Sequence, residues 1–212
     1  MNNVFKKAII SFLNENNVIG LRNNIKHIIN NYLQQILDSL MNVLDTYDTK
    51  ILINNFAVKT NLSKEEQTNY LLSSEELRMT IKKIKIATIL QYTLPGVPCI
   101  FYGNDDGIQG FDDPLCQKTF SWDNTDQELY TWYKILESNP NKKVFIDGIY
   151  REHIAYDNVF GFYRINVNTE IMIVVNKSNS EYCENIFGYD LINYNNALSI
   201  KLSPLTGIIM KI

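Results

Sequence analysis

Apolar positions recur at helical spacing over residues 4–13 and again over 25–37, where Ile25, Ile28, Ile29, Leu33, Ile36 and Leu37 share one face. This pattern predicts two helices joined by a polar stretch around Asn14–Gly20. The run Leu40-Met41-Asn42-Val43-Leu44 is of strand length and ends in the polar segment Asp45-Thr46-Tyr47-Asp48-Thr49. Ser63 with Glu66, and Ser73 with Glu76, have the spacing of capping boxes, so each should open a helix. The second of these is predicted to run to about Gln91, with Leu77, Ile81, Ile84, Ala87 (or Thr88) and Leu90 turned inward. Pro95-Gly96 breaks the chain, and Val97–Tyr102 reads as a buried strand with Pro98 near its start. Gly103–Asp123 is a long acidic, glycine-containing loop, a length usually tied to function or disorder. Asp126 to about Ser138 reads as a further helix, with Pro140 just beyond.

After Pro140 the pattern changes. Val144–Ile146, Ile149–Tyr150, Val159–Ile165, Glu170–Val175, Ala197–Lys201 and Gly207–Ile212 read as short strands, mostly separated by Asn, Gly, Ser or Pro. The expected organisation is therefore α/β followed by β, with residues 1–140 forming one unit and 141–212 a small antiparallel sheet or sandwich. In the first unit helices and strands alternate, which predicts parallel strands with helical crossovers. Only two strands are visible there, and two parallel strands do not make a layer with protected edges. The expectation is that further strands belong with them.

Composition narrows the function. Charged residues make up 20% of the chain and the formal net charge is −3, so there is no electrostatic case for nucleic acid or anionic lipid as a partner. The densest basic cluster, Lys82-Lys83-Ile84-Lys85, falls within a helical pattern and reads as a solvated face. Three widely spaced cysteines and two isolated histidines give no metal framework, and no cofactor is implied. The odd cysteine count fits a reducing compartment, and no segment approaches the ~20 apolar residues that cross a bilayer. The expected location is cytoplasmic.

Several segments resemble the α-amylase family of glycoside hydrolases. Leu94-Pro95-Gly96-Val97-Pro98-Cys99-Ile100-Phe101-Tyr102-Gly103 is similar to the last barrel strand of that family, which reads leucine-proline-glycine-x-proline, an apolar triplet, then tyrosine-glycine. Upstream, Met41–Thr49 resembles the seventh-strand motif, asparagine-leucine-x-aspartate-x-histidine-aspartate-threonine. Asp113-Pro114-Leu115-Cys116 through Phe120-Ser121-Trp122 resembles a loop of the neopullulanase- and cyclomaltodextrinase-like members. Trp132–Leu136 resembles the last barrel helix; Asn158–Ile165 and Ser203–Gly207 resemble the C-terminal β domain.

The resemblance implies the last two strand–helix units of a (β/α)8 barrel, a fold of ~250 residues when whole, followed by that β domain. It implies an enzyme acting on α-glucans such as maltodextrins or cyclodextrins, with an α-glucan oligosaccharide as ligand. Of the family's three carboxylates, the nucleophile and the acid/base lie on the fourth and fifth strands. The third corresponds to Asp48. Retaining hydrolysis needs two carboxyl groups ~5–5.5 Å apart, so Asp48 as an accessory is insufficient by itself. The expectation is a truncated relative, inactive alone, with two alternatives: half of a split enzyme completed by an N-terminal barrel fragment, or a glucan-binding module built on the β domain.

The motifs also depart from the family pattern. Tyr47 stands where the family has a sugar-binding histidine; it still offers a hydroxyl and a ring as a substrate contact. Ile51 replaces an arginine, Asn104-Asp105 replaces aspartate-glutamate, and Gln117-Lys118 replaces an arginine pair. Read without the motif, Asp48 is an ordinary turn aspartate. Asp105, Asp106, Asp112 and Asp113 read as solvated turns or, less simply, as oxygen ligands for calcium. Trp122 and Trp132 read as a sugar platform or, for the helical Trp132, as core.

Overall fold

The computed structural model describes residues 2–57, 62–120, 122 and 126–212. Ser121 and Asp123, read above as part of the long loop, lie outside the described residues. The chain opens with α1 (Asn3–Glu15), whose first turn is capped by the Asn2 side chain accepting from Phe5 N–H at 3.2 Å. It ends at Asn16, which adopts a left-handed conformation (φ 59°). Asn17 at once caps α2 (Val18–Asn31) by accepting from Gly20 N–H. The linker expected over Asn14–Gly20 is thus only two residues, because each asparagine does the work of a cap. The helical periodicity over 25–37 is likewise interrupted. Tyr32 and Leu33 are extended, and α3 (Gln34–Ser39) is a separate turn and a half.

Next come β1 (Met41–Asn42), α4 (Leu52–Ala57), α5 (Lys64–Asn69), α6 (Ser74–Thr93) and β2 (Val97–Pro98). Both capping boxes form: Ser63 with Glu66 opens α5, and Ser73 with Glu76 opens α6. From Ile84 onward α6 is almost entirely buried, because it lies between the β1–β2 ribbon and a strand of the C-terminal sheet. β1 and β2 pair in parallel, Met41 with Val97 and Asn42 with Pro98. Flanking bonds from Val97 N–H to Leu40 O (2.7 Å) and from Cys99 N–H to Asn42 O (3.0 Å) extend the ribbon slightly. Pairing is much shorter than the apolar runs, since among the described residues each strand has only the other as neighbour. Gly96, at φ 118°, lets the α6–β2 turn press onto β1; a Cβ there would sit 2.6 Å from Leu40 O.

α7 (Gln127–Glu137) is capped by Asp126 and buries Leu129, Trp132, Tyr133 and Leu136. Trp132 donates from Nε1 to Thr88 Oγ1 at 2.8 Å, so it is a core side chain. Residues 144–146, expected as strand, are helical: α8 (Lys142–Asp147) ends with Gly148 N–H bonded to Val144 O. A three-residue apolar run carries no period, and here a local turn after Asn141 decides its conformation.

The remainder is β3 (Ile149–Tyr156), β4 (Val159–Ile165), β5 (Glu170–Asn176), β6 (Tyr182–Glu184), β7 (Gly188–Asp190), β8 (Asn195–Ala197), β9 (Ile200–Leu202) and β10 (Thr206–Lys211). Six strands form an antiparallel sheet in the order β3-β4-β5-β10-β7-β8, and β6 pairs with β9 as a separate ribbon. One face of the sheet, with Phe160, Phe162, Ile171, Ile173, Val175 and Ile209, joins the core of the helical part. The other, with Val159, Met172, Val174 and Met210, packs on Ile200 and Leu202 of the ribbon. β6 and β7 have no counterpart in the sequence reading, because three-residue strands do not establish an alternation.

One charge is sunk in this core. Arg164 follows Phe160 and Phe162 on the inner face of β4 and is fully buried. Its guanidinium donates to Thr93 O (2.8 Å), at the end of α6, and to Phe145 O (2.9 Å) and Gly148 O (2.8 Å), around the end of α8. Carbonyls at helix C-termini lack intrahelical partners and carry partial negative charge. Burial pushes the guanidinium down to about 10, which leaves it charged at neutral pH.

Candidate functional site

Parallel αβ units present their chemistry where strands end and loops begin. Here that place is the segment leaving β1, residues 43–51, together with the loop leaving β2. Asp48 and Tyr47 both lie in this segment and both face solvent, Tyr47 with 66% of its surface exposed. The Thr46 hydroxyl donates to the Asp48 carboxylate. Thr49 braces the turn: its hydroxyl oxygen accepts from Thr46 N–H (3.0 Å) and from the Lys6 ammonium (3.1 Å). Lys6 comes from α1 and is nearly buried. Desolvation lowers its pKa, while Asp45 and Asp48 act in the opposite direction.

Beneath the exposed pair lies a second aspartate. Asp45 is 2% exposed, accepts from Leu52 N–H (2.9 Å) at the start of α4, and accepts from Asn104 Nδ2 (2.7 Å). Burial raises its pKa; the bonds from Asn104 and Leu52 and the charge of Lys6 offset only part of that. The loop after β2 is sewn to the same segment. Gly110 N–H donates to Asn54 Oδ1, Ile51 N–H to Gly110 O, Lys50 N–H to Asp112, and the Cys116 thiol to Tyr47 O (2.9 Å).

The sequence reading named Asp48 and Tyr47, and the structure puts them side by side on an accessible turn. It did not name Lys6, Asp45 or Asn104, which position that turn. Asp45 and Asn104 were visible as motif positions, but nothing in the sequence connects Lys6 to them. The reading of Asp106 as a solvated turn residue is corrected: it is buried, with Oδ1 unpartnered. Asp112 and Asp113 instead bond Lys50 N–H and the Gln117 amide. Among the described residues no three of these groups converge as metal ligands. Trp122 is 84% exposed, with its ring tilted against Phe120 at a centroid distance of 4.9 Å.

The raised Asp45 gives a pH signature. A carboxyl that holds its proton more tightly when folded adds stability fully below its ordinary value of 3.8, and that stability is lost as pH rises through the elevated folded value. Asp45→Asn should remove this dependence. Urea midpoints measured from pH 4 to pH 7 should fall less steeply, or not at all, in the variant.

Comparison with known proteins shows what the chain as a whole is similar to. No family model matches the chain. An amylopullulanase from Thermoanaerobacter thermohydrosulfuricus is 29% identical over 181 residues, covering 79% of this chain and 12% of that protein. A cyclomaltodextrinase from a Bacillus species is 30% identical over 105 residues, covering 49% of this chain and 15% of that protein. The crystal structure of an Anoxybacillus α-amylase superposes with a TM-score of 0.76 at 18% identity, over 99% of this chain and 45% of that one. The chain is similar to a C-terminal part of α-amylase-family glycoside hydrolases. It spans 12% and 15% of the length of these two sequence relatives. Among the described residues no helix is long and apolar enough to cross a membrane.

Proposed function

We propose that this chain is the C-terminal part of an α-glucan hydrolase and contributes one accessory carboxylate, Asp48, to a site completed by other strands. In this reading β1 and β2, with the helices between and after them, are the last two units of a (β/α)8 barrel. Residues 141–212 are the appended β domain. The observation that carries the reading is the exposed Tyr47-Asp48 turn at the end of a parallel strand, held from below by Lys6, Thr49, Asp45 and Asn104. Such a turn presents a carboxylate to a positively charged sugar transition state and a phenol to sugar hydroxyls.

Alone, the chain is read as inactive. Asp45 is buried and bonded to Leu52 and Asn104, while Asp112 and Asp113 are engaged by Lys50 N–H and Gln117. None of these is free to act as nucleophile beside Asp48. Completion by a polypeptide carrying further strands is supported by the ribbon's outer edges, which have no further strand neighbour among the described residues and leave Met41 and Val97 half exposed. Three free cysteines favour the cytoplasm.

The test mixes the chain with a polypeptide supplying the nucleophile and acid/base strands of a cyclomaltodextrinase-type barrel. Hydrolysis of maltodextrin is expected only in the mixture, and Asp48→Asn should lower it roughly a hundredfold or more. A mixture indifferent to Asp48 would contradict the assignment.

A further inference from the structure

A cavity of about 290 Å³ opens at the entry end of the β1–β2 ribbon, opposite the end that carries the Tyr47-Asp48 turn. Val97 at the start of β2, Leu136 at the end of α7, and Phe145 and Ile146 on α8 form an apolar wall. Thr93 and Ile209 close it on the inner side, and both are buried. Val97 and Ile146 are exposed although apolar, so the wall reaches the surface. Pockets for small molecules run to roughly 300–1,000 Å³, and this one suits a body of one ring or one branched chain.

The polar groups of this cavity carry both signs of charge. Glu137, at the end of α7, accepts from the Tyr92 hydroxyl at 2.8 Å and pairs with Lys142 Nζ at 3.4 Å. Both partners of that ion pair are more than half exposed, so the pair holds weakly, and each keeps free donor or acceptor positions. Burial and the bond to Glu137 push the Tyr92 phenol upward, so it stays a donor through neutral pH. Asp38, near the end of α3, adds a second carboxylate. Asn139, just beyond α7, lines the same cavity and is 6% exposed. Its Oδ1 is fixed by Asn141 N–H at 2.9 Å, whereas its Nδ2 donates to no group among the described residues. Behind the cavity, the Arg164 guanidinium is committed to the carbonyls of Thr93, Phe145 and Gly148, and its charge also acts on Asp38.

Two carboxylates, an ammonium and an unpaired amide N–H beside an apolar wall select the head and the body of a ligand together. A simple cation would give Lys142 and Asn139 nothing to donate to. A simple anion would meet Glu137 and Asp38. A neutral polyhydroxyl molecule would set its hydroxyls against the apolar wall. A zwitterion answers both signs: its ammonium donates to Glu137 and Asp38, and its carboxylate accepts from Lys142 and Asn139 Nδ2. We propose that this cavity binds a free α-amino acid with an apolar side chain, of the leucine or phenylalanine kind, packed against Val97, Leu136, Phe145 and Ile146. The site stands on this cavity and is independent of the α-glucan reading.

The test is an NMR titration of the purified chain with L-phenylalanine. Saturable shifts are expected at Thr93, Val97, Asn139 and Phe145, with a dissociation constant of about 1 mM or tighter for a ligand of this size. Phenylethylamine, which lacks the carboxylate, and phenylpropionate, which lacks the ammonium, should each bind roughly tenfold more weakly or worse. Asn139→Asp keeps the acceptor for Asn141 N–H but sets a negative oxygen where the amide now donates. Glu137→Gln keeps an acceptor for Tyr92 and removes the charge. Each variant should weaken L-phenylalanine binding by roughly tenfold or more. If a variant melts below the parent, the three molecules compared on the parent decide. Equal affinity for all three would reduce the cavity to an apolar hollow that selects no head group, and would overturn the proposal. Shifts centred elsewhere on the chain, unchanged affinity in both variants, or no saturable binding below about 10 mM would overturn it as well.

Discussion

Arg164→Leu is expected to lower the stability of this chain by about 3 kcal/mol or more. Leucine fills part of the same apolar space between Phe162 and the helical core. It leaves Thr93, Phe145 and Gly148 carbonyls without the donor that now reaches all three. Hydrogen bonds to a charged group contribute about 1.5–3 kcal/mol each, and unsatisfied buried acceptors cost about 1–3 kcal/mol each. Because the three carbonyls belong to the ends of α6 and α8, the loss should loosen the seat of the sheet on the helices. A chain of this size should melt roughly 6–12 °C lower, read by calorimetry or circular dichroism. A shift below about 2 °C would mean that water or a neighbour replaces the guanidinium without cost. Arg164→Lys should recover only part of the loss, since one ammonium does not reproduce a planar fork.

The second large effect is expected at Asn42. Its side chain is buried where three elements meet: Oδ1 accepts from Asn2 Nδ2 (3.1 Å) at the cap of α1, and Nδ2 donates to Pro95 O (3.1 Å) in the turn after α6. The backbone oxygen of the same residue accepts from Gln91 Nε2 (2.9 Å), which also holds Cys99 O (2.9 Å). Asn42→Ala removes the side-chain bonds and leaves Asn2 and Pro95 unsatisfied, for a cost of about 2–3 kcal/mol. The consequence reaches the candidate site. α1 carries Lys6, and Lys6 braces Thr49 beneath Asp48. Hydrogen exchange should therefore quicken at residues 45–52 as well as at the α1 cap, and exchange confined to residues 2–5 would show that the turn does not depend on this hub.

Much of this architecture is legible from local chemistry. The capping serines, the Pro95-Gly96 break, the helix after Asp126 and the longer strands each follow from a few neighbouring residues. Where the sequence misleads, a local pattern meets a competing local device. Asn16 and Asn17 shorten the linker to two caps, Tyr32-Leu33 splits a continuous periodicity, and Val144–Ile146 turns helical after Asn141. The candidate site is legible only in its exposed half. Tyr47 and Asp48 stand within a motif, whereas Lys6 and Asn104 reach the turn through bonds to Thr49 and Asp45 that span 43 and 59 positions, and Arg164 reaches Thr93 across 71. The His153–Glu184 contact is hidden for the same reason, since a glutamate in a three-residue strand meets a histidine at a β-bulge 31 positions earlier.

The account turns on the number of usable carboxylates, and release of reducing ends from maltodextrin by the purified chain alone tests it most directly. The expected result is no release above the blank over hours at neutral pH, for the parent and for Asp48→Asn alike. Steady turnover by the parent that disappears in Asp48→Asn would show that the chain carries a complete hydrolytic site and would contradict the account.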